Sequence, residues 1–352
     1  IQDIRECIGC NICISGDMTM SISRCTQNPT FMEEWRKGWH PEKIEPKGSS
    51  SKVLIIGSGP AGLEAALACA NRGYEVTLTE SLDTMGGRVS KERNLPGLSA
   101  WGRVVDYREY QLSQKSNVET YFQSRLDVEQ VLEFGFENVC IATGSKWRVD
   151  GVARQHVLPI PTDAKMSLFT PDDIMNNKLP SGKVAIYDDD HYYMGGVIAE
   201  LLIQKGCDVT LVTPSAYVSE WSKNTLEQGE IQKRLIEMGV NIELNRGVAS
   251  IHSNYIETNC IYTNKIDHLE ADAVVIVASR KPNDKLFEAL KLQKGNWKDA
   301  GISSVKIIGD ANAPGPIAWA TYAGHRYARE LDTKDIGDKL PFRREITQLI
   351  DN

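Results

Sequence analysis

Four cysteines near the start of the chain have the spacing of ligands to a metal centre. Cys7, Cys10 and Cys13 recur at every third residue, and Cys25 follows after an eleven-residue gap. In a tight turn, which Gly9 permits, this period directs three sulfurs into one hollow lined by backbone N–H groups. A cubane iron–sulfur cluster needs three thiolates from a local loop and a fourth from elsewhere. The spacing predicts a [4Fe–4S] cluster. A zinc ion, which usually takes two separated ligand pairs, or no metal are the alternatives.

A strand, a glycine turn and a helix form the next pattern with chemical meaning. The apolar residues 53–56 precede G-x-G-x-x-G, an Ala-rich helix over 61–71 follows, and a second strand ends at Glu80. Such a unit predicts a dinucleotide site, in which the glycines make the turn, admit a pyrophosphate and let the helix lie close to the sheet. Glu80 is expected to accept hydrogen bonds from an adenosine ribose. The residues assigned to the nucleotide are Gly57, Gly59, Pro60, Ala61, Gly62 and Glu80.

Three later segments indicate that the nucleotide lies as it does in flavoproteins. They are a glycine loop over 84–89, a strand with a tight turn over 138–145, and a late strand ending in Gly-Asp over 305–314. The last of these commonly lies beside the ribitol or pyrophosphate of FAD, so the first nucleotide domain is expected to be interrupted and to resume near residue 300. The residues added to the predicted site are Gly87, Arg88, Thr143, Gly144 and Asp310.

Residues 183–213 repeat the strand–helix–strand plan without the glycine fingerprint. The turn after the strand contains Asp188, Asp189 and Asp190, and the return strand ends in Thr213 rather than in an acid. A carboxylate about 4 Å from a phosphate is repelled by roughly 4 kcal/mol at an effective dielectric near 20. This unit therefore resembles a nicotinamide-nucleotide domain that has lost its ligand. A metal site at the three acids is the alternative.

Composition and charge narrow the class of protein. Hydrophobic residues make up 41% and charged residues 25% of the 352 residues, as in globular proteins. The net charge of −7 disfavours a nucleic-acid partner, and no apolar run reaches the length of a membrane span. Reduced thiolates predict a cytoplasmic protein. The other four cysteines, of which Cys69, Cys140 and Cys207 lie in apolar patterns, are expected to be structural.

The fold predicted from these patterns is α/β. It has a four-cysteine module over 1–45, a Rossmann-like FAD/ADP-binding domain over 46–180 plus 300–352, and a degenerate NAD(P)-binding-like domain over 181–299, inserted in the first. The chain opens on "IQDIREC", without an initiator Met or a signal peptide, so a fragment or the second half of a longer chain is expected.

The chain resembles the C-terminal half of the trimethylamine/dimethylamine dehydrogenase family, which includes histamine dehydrogenase. The segments that carry the resemblance are "IRECIGCNIC", "CTQNPT", "GWHPEK", "LPGLSAW", "DYRE", "IIGDANAP" and "AGHRYARE". The cysteine spacing and "GWHPEK" are the specific ones, because the Rossmann segments alone would fit many flavoproteins.

The resemblance implies an N-terminal (β/α)8 barrel, absent from these residues, that carries covalent FMN and binds a small amine. It implies that electrons pass through the cluster to an electron-transferring flavoprotein, that the first nucleotide site holds ADP, and that the protein is a homodimer. Cluster ligands carry over to Cys7, Cys10, Cys13 and Cys25. No catalytic residue is expected in this chain. The motifs themselves leave ADP and FAD open, and only the resemblance favours ADP.

Two other functions fit parts of the pattern. One is a 2,4-dienoyl-CoA or enoate reductase with FAD and NADPH, whose third cysteine is typically one residue later than Cys13. The other is a separate electron-transfer subunit without a substrate site. Trp101, in the segment 95–111, is expected either to face a docking partner or to pack under its own loop, and His325 is expected to be a structural hydrogen bonder.

Overall fold

The computed structural model describes residues 2–33, 35, 39–40 and 43–333. Three parts of the predicted organisation lie outside these residues. They are Ile1, Glu34, Arg36 and Lys37 of the four-cysteine module, Gly38, Pro41 and Glu42 of the "GWHPEK" segment in the same module, and residues 334–352 of the first nucleotide domain.

Strands and helices alternate along most of the described residues. The strands are β1 (Val53–Ile56), β2 (Val76–Thr79), β3 (Val118–Tyr121), β4 (Asn138–Ile141), β5 (Ser145–Trp147), β6 (Ser167–Phe169), β7 (Lys183–Asp188), β8 (Asp208–Val212), β9 (Asn241–Glu243), β10 (Arg246–Ile251), β11 (Tyr255–Cys260), β12 (Ile266–Glu270), β13 (Ala273–Val277), β14 (Arg280–Pro282) and β15 (Ser304–Ile307). The α-helices are α1 (Ile12–Met18), α2 (Pro60–Arg72), α3 (Val89–Glu92), α4 (Arg103–Ser113), α5 (Val128–Phe134), α6 (Pro171–Met175), α7 (Met194–Gln204), α8 (Gln228–Glu237), α9 (Lys285–Leu292) and α10 (Ile317–Glu330).

The first sheet is parallel and has the order β15-β4-β1-β2-β3. All four residues of β1 and of β4 are buried, as expected for central strands covered on both faces. The strand order reverses between β1 and β4, and open α/β sheets bind ligands outside the carboxyl ends of the strands at such a point. This end of the sheet therefore positions the residues of the predicted nucleotide site.

The second sheet has the same design, with the parallel order β6-β13-β7-β8-β9. An antiparallel sheet, β10-β11-β12, follows β9 along the chain. The short strands β5 and β14 pair with each other in an antiparallel ladder, on the chain segments that lead from one unit to the other. These parallel sheets confirm the Rossmann-like α/β class predicted from the sequence.

Helix α2 follows the glycine turn and is covered by α10. Pro60 stands at its first turn, where its missing N–H leaves no hydrogen bond unmade, and Gly73 ends it in a left-handed conformation (φ 92°). An added Cβ at Gly324 of α10 would lie 2.2 Å from the Ala61 carbonyl oxygen, so the two helices touch backbone to backbone. Within the described residues, none of the helices has the length and apolarity that a membrane crossing requires.

Candidate functional site

The glycine turn after β1 has the tight geometry that its sequence predicts. Gly57 has φ 102°, and a Cβ there would lie 2.5 Å from the Ala142 carbonyl oxygen after β4. A Cβ on Gly62 would lie 1.8 Å from the Gly57 carbonyl oxygen, so only glycine allows α2 to approach the turn. At Gly59, by contrast, a Cβ would meet no atom within 4 Å. The Gly59 backbone therefore offers an open face beside the N-terminus of α2, where a phosphate is favoured.

Two further loops border this open face. Gly87 (φ 54°) lies against the turn, since its added Cβ would be 3.2 Å from the Gly59 Cα. After β4, the Thr143 hydroxyl donates to the Asn283 carbonyl (2.6 Å), and the Asn283 N–H donates to the Gly144 carbonyl (2.9 Å). The structure thus gathers these predicted residues around one end of the first sheet.

Glu80 already has partners on both carboxylate oxygens. Its Oε2 accepts from the Ser58 N–H (2.9 Å) and hydroxyl (2.7 Å). Its Oε1 accepts from the Ser81 hydroxyl and the Leu82 N–H, each at 3.0 Å. Burial would raise the pKa of Glu80, but these hydrogen bonds outweigh it and lower the pKa. Glu80 thus fixes the glycine turn, and a ribose diol would have to replace one of the serine hydroxyls. No local sequence pattern predicts these internal partners.

A group of four charged side chains, here called the ion cluster, lies next to the glycine turn, because Arg88 follows Gly87 and Asp310 follows Gly309. It consists of Arg88, Glu92, Arg280 and Asp310. Arg88 pairs with Glu92 (Nη1 to Oε1, 2.6 Å) and reaches Asp310 (Nη2 to Oδ2, 3.4 Å). Arg280 pairs with the same Asp310 oxygen. The side chains are between 0% and 17% exposed, so these ion pairs form away from bulk water.

The four cysteines of the N-terminal segment are free thiols, each near a hydrogen-bond donor or a neighbouring thiol. The Gly9 N–H donates to the Cys7 sulfur (3.4 Å), and the Asn28 N–H donates to the Cys25 sulfur (3.3 Å). Burial raises the pKa of Cys10, and the neighbouring Cys25 and Cys13 add to that shift. Backbone N–H groups aimed at sulfur are a property of iron–sulfur sites, where they tune the cluster. The chemistry of the donor set therefore fits a cluster. Among the residues that the structure describes, no three His, Cys, Asp or Glu side chains are placed to hold a metal ion.

A buried polar network attaches the segment around Cys25 to α2, α4 and α10. Arg108 is fully buried and donates to Glu64 (2.7 Å), to the Gln27 side chain (3.0 Å) and to the Gln27 carbonyl (3.1 Å). Burial alone would raise the pKa of Glu64, but Arg108 and a hydrogen bond from His325 lower it to about 2. His325, whose pKa is lowered by burial, thus has the structural role predicted for it. Next to Gln27, the Thr26 hydroxyl lies 3.1 Å from the Cys10 sulfur.

A small apolar hollow lies beside Cys10, where the cysteine segment meets both α/β units. Its walls include Ile8, Ile12, Trp101 and Tyr192. Trp101 packs edge-on against Tyr193, with ring centroids 4.6 Å apart. Trp101 is half-buried and packs against the second unit, and its role in docking a partner stays a prediction.

In the second unit, the turn after β7 is filled by its own side chains. Asp188 is fully buried, and its Oδ1 accepts from the Asp190 and His191 N–H groups, each at 3.1 Å. His191 connects this turn to the loop after β8, with Nε2 3.1 Å from Asp189 Oδ1 and Nδ1 2.9 Å from the Ser215 hydroxyl. A carboxylate and an imidazole thus lie where a Rossmann turn would receive a phosphate.

Comparison with known proteins shows to which protein family the chain belongs. The profile of the pyridine nucleotide-disulphide oxidoreductase family matches residues 51–302. The chain belongs to this family. It is also 37% identical over 372 aligned positions to a dimethylamine dehydrogenase from Hyphomicrobium sp. (strain x). The alignment covers 98% of this chain and 50% of that protein. The chain corresponds to the C-terminal half of that protein, which confirms the resemblance predicted from its motifs.

Solved structures of amine-oxidising proteins have the same fold. A histamine dehydrogenase from Rhizobium sp. 4-9 superposes with a TM-score of 0.95 at 67% identity, over 99% of this chain and 54% of that one. A 6-hydroxypseudooxynicotine amine oxidase from Pseudomonas geniculata N1 superposes with a TM-score of 0.89 at 43% identity. The superposition covers 94% of this chain and 49% of that one. The chain spans about half the length of each of these three relatives.

Several predicted features remain predictions. They are the domain boundaries, the ligand roles of the cysteines and the nucleotide roles of the glycines, Glu80 and Asp310. Sequence patterns missed the contact of Arg280 with Asp310, the contact of Glu92 with Tyr193 and the Ser58–Glu80 contact, because each joins residues that are far apart in the chain. The segment 271–284, which resembles the "ATGRxPN" exit of reductase NAD domains, contains Arg280, but nothing in it points to Asp310.

Proposed function

We propose that this chain is the electron-exit half of an iron–sulfur flavoprotein amine dehydrogenase. The whole protein would oxidise a small amine at an FMN carried on an N-terminal barrel, and an electron-transferring flavoprotein would be the acceptor. The similarity along 98% of the chain to a dimethylamine dehydrogenase supports this proposal best. A cytoplasmic homodimer is part of the same proposal.

Cys7, Cys10, Cys13 and Cys25 would hold a [4Fe–4S] cluster. When bound, such a cluster supplies a one-electron step between a two-electron flavin and a protein acceptor. The chain's own residues supply polar contacts to the sulfurs. The Gly9 and Asn28 N–H groups donate to the Cys7 and Cys25 sulfurs, and the Thr26 hydroxyl lies beside the Cys10 sulfur. Buried Arg108 holds the backbone of Gln27, two residues beyond Cys25. These contacts fix the loop that would carry the fourth ligand.

The turn formed by Gly57, Gly59 and Gly62 would bind ADP, with FAD as the alternative. The open face at Gly59 and the N-terminus of α2 provide backbone donors and partial positive charge for phosphate. In the second unit, Asp188 occupies the N–H groups of the corresponding turn. This supports a degenerate domain without NAD(P)H and disfavours the reductase alternative, which needs that nucleotide.

The proposal is tested on the full-length protein by metal, sulfide and nucleotide analysis. We expect iron and acid-labile sulfide in equal amounts, and ADP released on denaturation while the flavin stays bound to the protein. The Cys13→Ala variant should lose the iron and should no longer transfer electrons to the acceptor. It should keep the ADP, because the proposed nucleotide site does not contain Cys13. The control is Cys207→Ala, whose thiol is buried in the second unit. Zinc in place of iron, or released FAD, would contradict the proposal.

A further inference from the structure

Asn11 lies on the loop of residues 7–13, here called the ligand loop, between the predicted cluster ligands Cys10 and Cys13. Its backbone is left-handed (φ 49°), a conformation that asparagine adopts more readily than most residues. Asn11 stands at the start of α1, but its side chain makes no capping hydrogen bond to that helix. Instead, Asn11 Nδ2 donates to the carbonyl of Thr225 in the second unit (3.1 Å). A side chain of the ligand loop therefore ties this loop to the second unit.

The segment that receives this hydrogen bond is buried and held in place by its own contacts. Thr225 is fully buried, and Ser222 is almost fully buried. The Thr225 N–H (3.2 Å) and hydroxyl (3.1 Å) both donate to the Ser222 carbonyl, which also accepts from the Glu227 N–H (3.0 Å). Because its N–H and hydroxyl are used inside the segment, Thr225 presents its carbonyl oxygen to Asn11 from a fixed position.

The same segment packs against the turn after β7. The Trp221 N–H donates to the His191 carbonyl (2.8 Å), and the Trp221 ring packs edge-on against Tyr192, with ring centroids 4.7 Å apart. Tyr192 and Cys10 both line the apolar hollow. The turn thus supports the ligand loop in two ways. It holds the segment that binds Asn11, and it places Tyr192 beside Cys10.

A loop with three ligands binds a cluster well only when it already has the binding geometry. The apparent affinity falls in proportion to the fraction of molecules in which the loop is correctly arranged. The net effect of an amide–carbonyl hydrogen bond on such an equilibrium is about two- to tenfold. Asn11 lies between two of the ligands, so a shift of its backbone moves the sulfurs on both sides.

We propose that the second unit positions the ligand loop and that Asn11 is the positioning residue through which it does so. The inference rests on the cluster of the proposed function and adds the contact that keeps its loop in the binding geometry. It also gives the second unit a role that requires no nucleotide, because the turn after β7 supports the loop with the chain's own side chains.

The test replaces Asn11 in two ways in the full-length protein. Glycine takes a positive φ without strain and removes the amide, whereas ionised aspartate keeps the Cβ and the size of the side chain but cannot donate. Release of iron to a chelator is followed by the loss of visible cluster absorbance. We expect Asn11→Gly and Asn11→Asp each to release iron at least about threefold faster than wild type.

Amide hydrogen exchange gives a readout that does not depend on the cluster. In protein stripped of metal, exchange over residues 222–227 should rise in both Asn11 variants, since this part of the second unit loses its contact with the ligand loop. The matched controls are Asn264→Gly and Asn264→Asp. Asn264 also has a positive φ (57°), in the exposed connection between β11 and β12, and its replacement should change neither measurement.

The outcomes separate this inference from the function on which it rests. Wild type without iron would contradict the proposed cluster and, with it, this role of Asn11. If wild type holds iron but the Asn11 variants release it no faster than the Asn264 variants, Asn11 is not the positioning residue. Faster release without more exchange over 222–227 would mean that the second unit does not hold the loop.

The two substitutions also separate the hydrogen bond from the flexibility that glycine adds. An effect of Asn11→Gly without one of Asn11→Asp would assign faster release to backbone flexibility and overturn the role of the amide. If Asn11→Gly does not accumulate as folded protein, Asn11→Asp decides by the same two measurements.

Discussion

At the scale of single residues, Asp188 shows how a nucleotide turn can be closed from within. Its carboxylate accepts the two N–H groups that follow β7, and its other oxygen, Oδ2, has no hydrogen-bond partner. Burial raises the pKa of Asp188 to about 7. An acid with a raised folded-state pKa binds its proton more tightly when folded. Its contribution to stability therefore falls as pH rises from about 4 to about 7.

Replacing Asp188 by Asn should relieve this loss. The amide keeps an oxygen for the two N–H groups but cannot ionise, so Asp188→Asn should gain clearly more stability over wild type at pH 8 than at pH 5. The gain could reach about 4 kcal/mol for a shift of about three pKa units. Urea unfolding at both pH values measures it, with the exposed Asp208→Asn as the control. An equal difference at the two pH values would show that Asp188 is ionised to the same extent in the folded and unfolded states.

At the scale of secondary-structure elements, the contact between α2 and α10 depends on glycine. An added Cβ at Gly324 would lie 2.2 Å from the Ala61 carbonyl and 2.9 Å from the Ala65 nitrogen. These are backbone atoms of the helix that presents its N-terminus to the predicted phosphate. A methyl group at this position therefore cannot be accommodated by a side-chain rotation alone.

Gly324→Ala should separate the two helices and destabilise the protein by about 1–3 kcal/mol, a typical cost of overpacking. The matched control is Gly229→Ala in α8, where an added Cβ meets no atom within 4 Å. Because alanine has the higher helix propensity, that control should be neutral or stabilising by up to about 1 kcal/mol. Thermal unfolding compares the two variants. Equal effects would mean that α10 has room to shift without cost.

The elements that could be predicted from the sequence are those with local signals. The glycine fingerprint, Pro60 and the apolar runs predicted β1, α2 and β2, and parallel pairing follows from such a unit. The contacts of Arg280 with Asp310 and of Arg108 with Gln27 join segments far apart in sequence and have no periodic pattern. They depend on how the units pack, which local spacing does not encode.

At the scale of the whole molecule, one helix holds the cysteine segment in two different ways. From α4, Arg108 binds Gln27 and Glu64 in the buried interior. From the first turn of the same helix, Arg103 binds Glu6 (3.1 Å) with both side chains nearly half exposed. Exposed ion pairs contribute about 0–1 kcal/mol, whereas removal of one partner from a buried pair costs about 3–5 kcal/mol.

Arg108→Met should therefore loosen the attachment of the cysteine segment to the α/β units, and Arg103→Met should not. We expect about 3–5 kcal/mol lower stability for the first variant and less than about 1 kcal/mol for the second. Amide hydrogen exchange over residues 25–33 reports the local effect, because Gln27 accepts two of the Arg108 hydrogen bonds. Exchange there should rise in Arg108→Met alone. If both variants change it equally, or neither does, the buried network is not what fixes the loop that carries Cys25.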